Sequence, residues 1–536
     1  MRLQLTRTSI KRSTVVVAMA AVAALTLSAC GGSGSAASGG GTGSAAGSSS
    51  AGQPQSGGDI VAIATNGEMV GFDPVTLTNI GLGIERAALV MDTLLYRNDL
   101  TGEVLPKLAE SMTSTDSKVW VLKLRPGVNF SDGTPLDAQA VLFNLNRHTA
   151  ADSKSTAKSL FADVTSMVAT GDHEVTFTLS DTNGSFPLAL TASSPASLIG
   201  SPKALADPAA FATNPVGAGA FTLDHWTRDS EMKFVKNPTY WDTGKPYLNS
   251  VTYKPVTDQQ TVAASLQSGE AQVGLMNSMA WQQFDGSTTV KLWAPVGGGG
   301  ALIPNGTRPI GDERVRKAIS LAFDPQVTKS VIFPGSTLWD GNTDCIPFAP
   351  GSPACTSENA PHQDLEQAKK LVADFVADGG DPTASLTYFQ ILTDHATYIQ
   401  DQLKNIGLTI TLNPVDAAGL TSAQATGDYD IFYGSTASSG YPTVWNRLYS
   451  GGSNWGKVVY PELEDALLKA RNASTLDERN QAWQQVQLAN RDLAVANWFL
   501  PYIASVATAT NLHMDDGEFP YLGSTMVYYD TAWLEK

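Results

Sequence analysis

The sequence predicts an α/β fold that is divided between more than one lobe. At 536 residues, the chain exceeds the length that one hydrophobic core usually supports. Alternation of apolar and polar side chains, as in Val119–Leu124, predicts half-buried strands. Apolar residues repeated at positions i, i+3, i+4 and i+7, as in the stretch after Asp137, predict amphipathic helices. The composition, with 42% apolar and 16% charged residues, is that of an ordinary globular protein.

The first residues of the chain predict export. Four basic residues precede an apolar run: Arg2, Arg7, Lys11 and Arg12. The run, residues 14–27, is too short to span a bilayer and has the length of the apolar part of a signal peptide. Residues 27–30, Leu-Ser-Ala-Cys, match a bacterial lipobox. We therefore expect a lipoprotein signal peptide at 1–29 and a diacylglycerol on Cys30, with a plain secretory peptide as the alternative.

A flexible tether is predicted after the signal peptide. Residues 30–58 consist mainly of Gly, Ser and Ala, a composition that cannot bury enough apolar surface to fold. A flexible chain of this length reaches roughly 30 Å. The glycines do not indicate a phosphate-binding loop, because no G-x-x-x-x-G-K-[ST] motif occurs in the sequence.

The charge and the motif content exclude several functions. The formal net charge is −16, so nucleic acid is not an expected partner, since phosphate binding needs a basic face. A secreted hydrolase is the other class to weigh. No G-x-S-x-G, H-E-x-x-H or S-x-x-K with its companion motifs occurs, and nothing supports nucleophilic or zinc catalysis. The sequence therefore predicts a protein that is not an enzyme.

The three cysteines predict one disulfide. With Cys30 lipidated, Cys345 and Cys355 remain as a pair in an oxidising compartment. Closing so short a loop contributes roughly 2–3 kcal/mol by the loop-entropy relation. A metal site is the weaker interpretation because no Cys-x-x-Cys and no histidine at ligand spacing accompanies the pair. No metal and no cofactor is expected.

The first half of the chain is predicted to contain three strands and two helices. The strands are 59–65, Val119–Leu124 and Glu174–Leu179, and the first helix covers 79–96. Pro126 and Gly127 end the second strand, because proline lacks the ladder donor and glycine permits a turn. Asp137 is a good N-cap for the second helix.

In the second half, local signals mark where helices begin and end. These signals are the N-cap Asp312, the capping boxes Asp364–Gln367 and Thr475–Glu478, the terminator Gly407 and the initiator Pro461. The four glycines at 297–300 suit a hinge or a crossing between domains. Residues 504–529 are rich in strand patterns.

Several motifs in fixed order then indicate a family. They are TGEVLPKLAES (101–111), WVLKLRPGVNFSDGTPLDAQAV (120–141), PVGAGAFTLDHW (215–226), KNPTYWDTGKP (236–246), LQSGEAQVG (266–274) and DERVRKAISLAFD (312–324). Together they resemble the extracellular solute-binding proteins of family 5, the peptide-, dipeptide- and nickel-type receptors that feed ABC importers. Gln272 stands where that family usually has an aspartate.

This resemblance implies a periplasmic-binding-protein-like fold of the class II type, with two large lobes, a hinge and a smaller extra domain. Domain I is expected to comprise 59–100, 215–298 and 504–536, domain II 101–214, and domain III 299–503. Two crossings between domains I and III would place a cleft between them, where ligand pockets are favoured.

The resemblance also implies a function. We expect a monomeric receptor, anchored by lipid to the outer face of the cytoplasmic membrane, that captures an oligopeptide or similar solute and delivers it to an ABC transporter permease. One alternative is the same fold binding a saccharide, an aromatic acid or a metal chelate. Another is a sensor or chaperone that is not coupled to transport.

The ligand loop departs from the family pattern. Peptide-binding members have a G-W-x-x-D-Y-x-x-P loop whose aspartate holds the free amine of the peptide. The aligned residues here are GSTASSGYP (434–442), with Ser435 in place of the tryptophan and Ser438 in place of the aspartate. A serine hydroxyl cannot supply the charge-assisted bond that an ammonium makes. We therefore predict that recognition of a free amine is lost at Ser438, with Asp394 as the other candidate.

Other ligand-binding residues carry over from the alignment. The full set is Met69, Val70, Asn277, Asp394, His395, Ser435, Thr436, Ser438, Tyr441 and Trp445. His395 either contacts a ligand carboxylate or is structural. Tyr441 and Trp445 either stack on a ligand ring or pack within the lobe. The hydroxyl groups of the loop suggest a polar, uncharged ligand surface.

Overall fold

The computed structural model describes most of the chain after residue 52. The described residues are 53–65, 68–77, 83–98, 101–276, 281–284, 286–293, 297–336, 339–358, 362–436, 440–502, 505–514 and 527–536. The predicted signal peptide and most of the predicted tether lie outside these ranges, as do Cys30, Asn277 and Ser438.

Strands occur along the whole described chain. In order they are β1 (Asp59–Ala64), β2 (Leu95–Arg97), β3 (Val104–Pro106), β4 (Ala109–Thr113), β5 (Val119–Leu124), β6 (Val164–Gly171), β7 (Glu174–Leu179), β8 (Phe221–Thr227), β9 (Glu231–Lys236), β10 (Ser250–Pro255), β11 (Val273–Met276), β12 (Val290–Trp293), β13 (Gly299–Pro304), β14 (Thr383–Phe389), β15 (Thr409–Val415), β16 (Ile431–Thr436), β17 (Asn497–Pro501), β18 (Ser505–Ala509), β19 (Leu512–His513) and β20 (Trp533–Leu534).

Helices are concentrated in the second half. In order they are α1 (Ile84–Met91), α2 (Ala138–Thr149), α3 (Pro208–Phe211), α4 (Gln259–Ser268), α5 (Glu313–Ser320), α6 (Pro325–Ile332), α7 (Leu365–Ala377), α8 (Thr393–Asn405), α9 (Ala417–Thr426), α10 (Thr443–Leu448), α11 (Pro461–Asn472) and α12 (Leu476–Leu493).

Three sheets organise the molecule. A seven-stranded sheet has the order β12-β18-β11-β1-β10-β9-β8, in which β1 is parallel to both β10 and β11. A five-stranded sheet has the order β15-β14-β16-β13-β17, in which β14 is parallel to both β15 and β16. A four-stranded sheet, β4-β5-β7-β6, is antiparallel throughout. The predicted α/β class is thus confirmed.

The chain passes twice between the two larger sheets, first from β12 to β13 and then from β17 to β18. Gly298 of the first crossing and Tyr502 of the second lie side by side, since the N–H of Tyr502 donates to the carbonyl of Gly298 at 3.3 Å. Gly297 and Gly298 have φ values of +87° and +85°, a region that side chains other than glycine rarely adopt. Gly297 and Gly298 therefore lie in the first crossing, and Gly299 and Gly300 begin β13.

Each sheet buries apolar side chains that the strand alternation predicts. In the four-stranded sheet, Leu122 and Phe177 pack with Val141 of α2 in one core. In β13 of the five-stranded sheet, the neighbouring residues Leu302 and Ile303 belong to separate cores on opposite faces. Helices therefore cover both faces of that sheet, and each such buried side chain contributes about 1.5–3 kcal/mol.

Most of the predicted local signals are confirmed. Strands β5 and β7 have the predicted bounds. The carboxylate of Asp137 accepts the N–H of Ala140 at 2.8 Å and caps α2. Thr475 and Glu478 form the reciprocal capping box of α12. Pro461 is the first residue of α11.

The first predicted helix, 79–96, was too long. Helix α1 ends at Met91, because Asp92 takes a φ of +59° and turns the chain. The Asp92 carboxylate accepts the N–H of Thr93 at 2.8 Å and the hydroxyl of Tyr240 at 2.9 Å. After this turn, residues 95–97 form β2 and pair with β3. Tertiary contacts of one carboxylate thus override a continuous apolar pattern.

Candidate functional site

The carboxyl ends of the parallel strands lie at the crossings in both larger sheets. Met276, the last residue of β11, is opposite Ser505 at the second crossing. Thr436, the last residue of β16, is opposite Gly299 at the first crossing. Ligands of open α/β sheets bind outside the carboxyl ends of the strands. We call the ends at Met276 and at Thr436 the crossover edges, and the region that they bound is the candidate binding cleft.

His395 lies in the first turn of α8, which follows the carboxyl end of β14. Its Nδ1 is 2.8 Å from the hydroxyl of Tyr433, and the ring of Phe333 packs edge-on against it with centroids 6.3 Å apart. Burial lowers the pKa of His395 to about 4, against a weaker opposing effect of Asp394. The imidazole is therefore neutral at pH 7, so it can take part in hydrogen bonds but carries no positive charge.

The predicted ligand loop begins at the end of β16. Ser435 is exposed, whereas Thr436 is fully buried. Among the described residues, the Thr436 hydroxyl has no hydrogen-bond partner. Ser438 lies outside the described residues, so its predicted role stays a prediction. A buried hydroxyl without a partner is unusual in a folded protein.

Tyr441 and Trp445 pack against other side chains of the protein in this structure. Tyr441 is 5% exposed, and its ring meets that of Trp445 edge-on at 5.4 Å. Trp445 in turn stacks on Tyr449, with ring centroids 4.1 Å apart. Of the two interpretations offered for these residues, the geometry supports packing.

The backbone carbonyls of Met69 and Val70 both accept hydrogen bonds from one arginine. The Arg228 guanidinium donates to the carbonyl of Met69 at 2.9 Å and to that of Val70 at 3.1 Å. The Met69 side chain is buried, but Val70 is 77% exposed. Asn277, predicted to act with them, follows Met276 and lies outside the described residues. Asp394 is exposed on α8 beside His395.

Two groups of buried ionisable side chains were not predicted. In the first, the Glu85 carboxylate accepts the hydroxyl of Tyr253, which also lies 3.3 Å from the hydroxyl of Tyr529. Burial raises the pKa of Glu85 to about 7, although Tyr253 and the charge of Arg86 oppose that shift. No local sequence signal pairs a residue in α1 with residues in β10 and near the C-terminus.

In the second group, Lys107 lies between two carboxylates. Its Nζ is 2.7 Å from Asp530 and 3.5 Å from Asp92. Burial raises the pKa of Asp92, although Lys107 opposes that shift. Burial also acts to raise the pKa of Asp530, but the attraction of Lys107 outweighs it and the pKa is lowered. This contact ties the last residues of the chain to the LPKLAES motif.

Three further features complete the description of the site. The predicted disulfide between Cys345 and Cys355 is formed. In the part of the chain that the structure describes, no group of three or more His, Cys, Asp or Glu residues is placed to hold a metal ion. Among the helices of the same ranges, none is both long enough and apolar enough to cross a bilayer.

Comparison with known proteins finds several binding proteins that are similar to this chain. The oligopeptide-binding protein AppA of Bacillus subtilis is 27% identical over 511 residues, covering 89% of this chain and 91% of AppA. Its structure, solved with a nonapeptide, matches with a TM-score of 0.71 at 22% identity and covers 90% of this chain and all of that one. The glutathione-binding protein GsiB of Escherichia coli K12 is 27% identical over 409 residues, which cover 71% of this chain and 77% of GsiB.

A further structural match was solved with a different kind of ligand. The periplasmic binding protein AgaA from A. tumefaciens R10, in complex with agropinic acid, matches with a TM-score of 0.73 at 22% identity. The match covers 89% of this chain and 99% of AgaA. These likenesses show a fold of two lobes with an extra domain. The family model of the bacterial extracellular solute-binding proteins, family 5, matches residues 103–457, more than half of the chain. The chain therefore belongs to the family 5 bacterial extracellular solute-binding proteins.

Proposed function

We propose that this solute-binding protein is a lipid-anchored receptor that captures a small solute in the cleft between the crossover edges and delivers it to an ABC importer. The observation that carries the proposal is the convergence of strand carboxyl ends on the two crossings. Met276 and Thr436 mark those ends in the two larger sheets. A lobe joined to the rest of the chain only through such crossings can close around a ligand by hinge motion.

The domain limits proposed from the sequence are supported by how the sheets are assembled. The seven-stranded sheet combines strands from 59–64, 221–293 and 505–509. The five-stranded sheet uses strands between 299 and 501, and the four-stranded sheet uses strands between 109 and 179. We propose that these sheets are the centres of domains I, III and II, with the receptor acting as a monomer.

The ligand proposed is a polar solute, an oligopeptide or a compound of similar size. AppA and GsiB support a peptide-like ligand, and AgaA supports a small organic acid as the alternative. Three features favour hydrogen bonds over ion pairs at this edge: the neutral His395, the exposed Ser435, and the Thr436 hydroxyl, which has no partner among the residues that the structure describes. A ligand held through its free amine therefore needs another partner, for which Asp394 is proposed.

A thermal-shift screen tests this proposal. The exported chain from Gly31 would be heated with di- to hexapeptides, saccharides, aromatic acids, agropinic acid and nickel chelates. A ligand present at one hundred times its dissociation constant adds about 2.7 kcal/mol to the free energy of unfolding. We expect a clear rise in Tm with at least one polar class. A chain that responds to no member of the panel would contradict solute capture.

A sensor or chaperone role without transport is the alternative. It shares the fold and the cleft, so ligand binding does not separate the two. Uptake of the identified ligand by cells that lack this chain would separate them. Loss of uptake supports delivery to an importer, whereas unchanged uptake supports the alternative.

A further inference from the structure

An ion pair joins the four-stranded sheet region to the last turn of α11. The Arg471 guanidinium donates to the carboxylate of Asp163, from a position 308 residues away in the sequence. The Arg471 side chain is 8% exposed and that of Asp163 is 39% exposed, so the contact is shielded on the arginine side. The same guanidinium lies 5.7 Å from the ring centroid of Trp445. The pair is therefore partly removed from solvent, where charges attract more strongly than at the surface.

The backbone around the ion pair fits closely. The N–H of Ser185 donates to the carbonyl of Arg471 at 3.0 Å, and the Ser185 hydroxyl lies 3.4 Å from the carbonyl of Ala470. Both carbonyls belong to the last turn of α11, where helix carbonyls lack partners within the helix. A Cβ atom on Gly184 would lie 1.7 Å from the carbonyl oxygen of Ala473. The approach therefore requires glycine at position 184.

The same segment reaches the end of the ligand loop. Burial raises the pKa of Tyr441, and the neighbouring side chain of Asn183 acts to lower it. Leu188 is 3% exposed and packs in one apolar core with Tyr441 and Phe348. Residues 183–188 thus lie against both α11 and Tyr441, near the end of the ligand loop (434–442).

Closure and opening would make and break these contacts. The four-stranded sheet is inserted between β1 and β8 of the seven-stranded sheet, whereas the five-stranded sheet is inserted between β12 and β18. Asp163 lies in the first inserted part and Arg471 in the second. Rotation of the five-stranded sheet and its helices about the crossings would therefore move Arg471 away from Asp163. Hinge motions of this kind leave the inside of each lobe intact.

We propose that Asp163 and residues 183–188 form a latch. By contacting α11 and the end of the ligand loop, the latch holds the cleft closed. This inference rests on the proposed function, because closure is useful only around a ligand. The domain built on the four-stranded sheet, which contributes neither of the crossover edges, would then stabilise the closed state. Because the latch contacts Tyr441 in the closed state, it would also hold the ligand loop in place. A ligand bound against that loop would therefore dissociate more slowly.

The test measures a distance between the two sides of the latch. Nitroxide labels on V168C and V459C, which replace side chains that are 46% and 53% exposed, would report it in the exported chain from Gly31 by pulsed electron spin resonance. Asp163→Asn removes the charge, and Gly184→Ala places a methyl group against Ala473. Matched controls are Asp374→Asn, from an ion pair within α7, and Gly171→Ala, whose Cβ would meet Glu174 at an ordinary 3.6 Å.

We expect a short-distance population in the parent chain and a shift to longer distances in both latch variants. The ratio of open to closed chains should rise about tenfold in Asp163→Asn, which corresponds to about 1.4 kcal/mol. The controls should match the parent, and Tm values will show that every variant is folded. A parent without the short population, or latch variants with the distribution of the controls, would overturn the proposal. The readout needs no ligand, so a chain that binds nothing in the screen yet shows the shift keeps the latch and loses the proposed function.

Discussion

Replacing Glu85 by glutamine should stabilise the protein at neutral and alkaline pH. The Glu85 carboxylate is buried against Tyr253 and near Tyr529, and burial raises its pKa from 4.5 to about 7. The folded chain therefore holds the proton more tightly than the unfolded chain does. A group of this kind stabilises the fold fully below pH 4.5, and that stability is lost as the pH rises through 7.

The size of the effect follows from the two pKa values. At 1.36 kcal/mol for each pH unit, the change from 4.5 to about 7 corresponds to ~3 kcal/mol between acid and alkaline conditions. Glutamine keeps an oxygen that can accept from the hydroxyl of Tyr253 but carries no charge. Glu85→Gln should therefore exceed the parent by less than about 1 kcal/mol at pH 5 and by ~3 kcal/mol at pH 8.

Urea unfolding at pH 5, 6, 7 and 8 measures this difference directly. The exposed residue Glu366, replaced by glutamine in the same way, is the control for changes in net charge. If the parent and Glu85→Gln keep a constant difference across these pH values, the reasoning that Glu85 is buried as a neutral acid is wrong.

Two further predictions concern the stability contributed by the buried Lys107 and by the disulfide. Lys107→Met leaves Asp92 and Asp530 buried together and should cost about 3–5 kcal/mol of stability at pH 7, whereas Lys254→Met, from the exposed pair with Glu270, should cost less than about 1 kcal/mol. Equal losses in the two variants by urea unfolding would show that Lys107 does not neutralise a buried site. Replacing Cys345 and Cys355 together by serine should lower stability by roughly 2–3 kcal/mol, and adding a reductant should then change the Tm of the parent but not that of the variant. A parent that is insensitive to the reductant would contradict that contribution.

Much of the local structure could be predicted because it depends on neighbouring residues. The bounds of β5 and β7, the N-cap at Asp137 and the capping box at Thr475 each follow from a few consecutive side chains. The long version of α1 was wrong because Asp92 leaves the helix to contact Tyr240 and Lys107, which are distant in sequence.

The candidate site was harder to predict from the sequence, because its properties also depend on residues that are distant in the sequence. The alignment indicated His395, but its neutral state depends on burial beside Tyr433 and Phe333, which come from other elements. Nothing in the sequence connects Asp163 with Arg471, because residues so far apart meet only in the folded chain. The roles predicted for Asn277 and Ser438 stay predictions.

The central claim is that a solute binds between the crossover edges. Ser435 is exposed near the carboxyl end of β16, so Ser435→Trp should block the cleft without disturbing a core. Val376→Trp, at a 42% exposed position on α7, is the matched control. The measurement is isothermal titration of the ligand found by the thermal-shift screen. We expect binding to the parent and to Val376→Trp, and at least a tenfold weaker affinity for Ser435→Trp, which corresponds to about 1.4 kcal/mol. Unchanged affinity of a folded Ser435→Trp would place the ligand elsewhere and contradict the account.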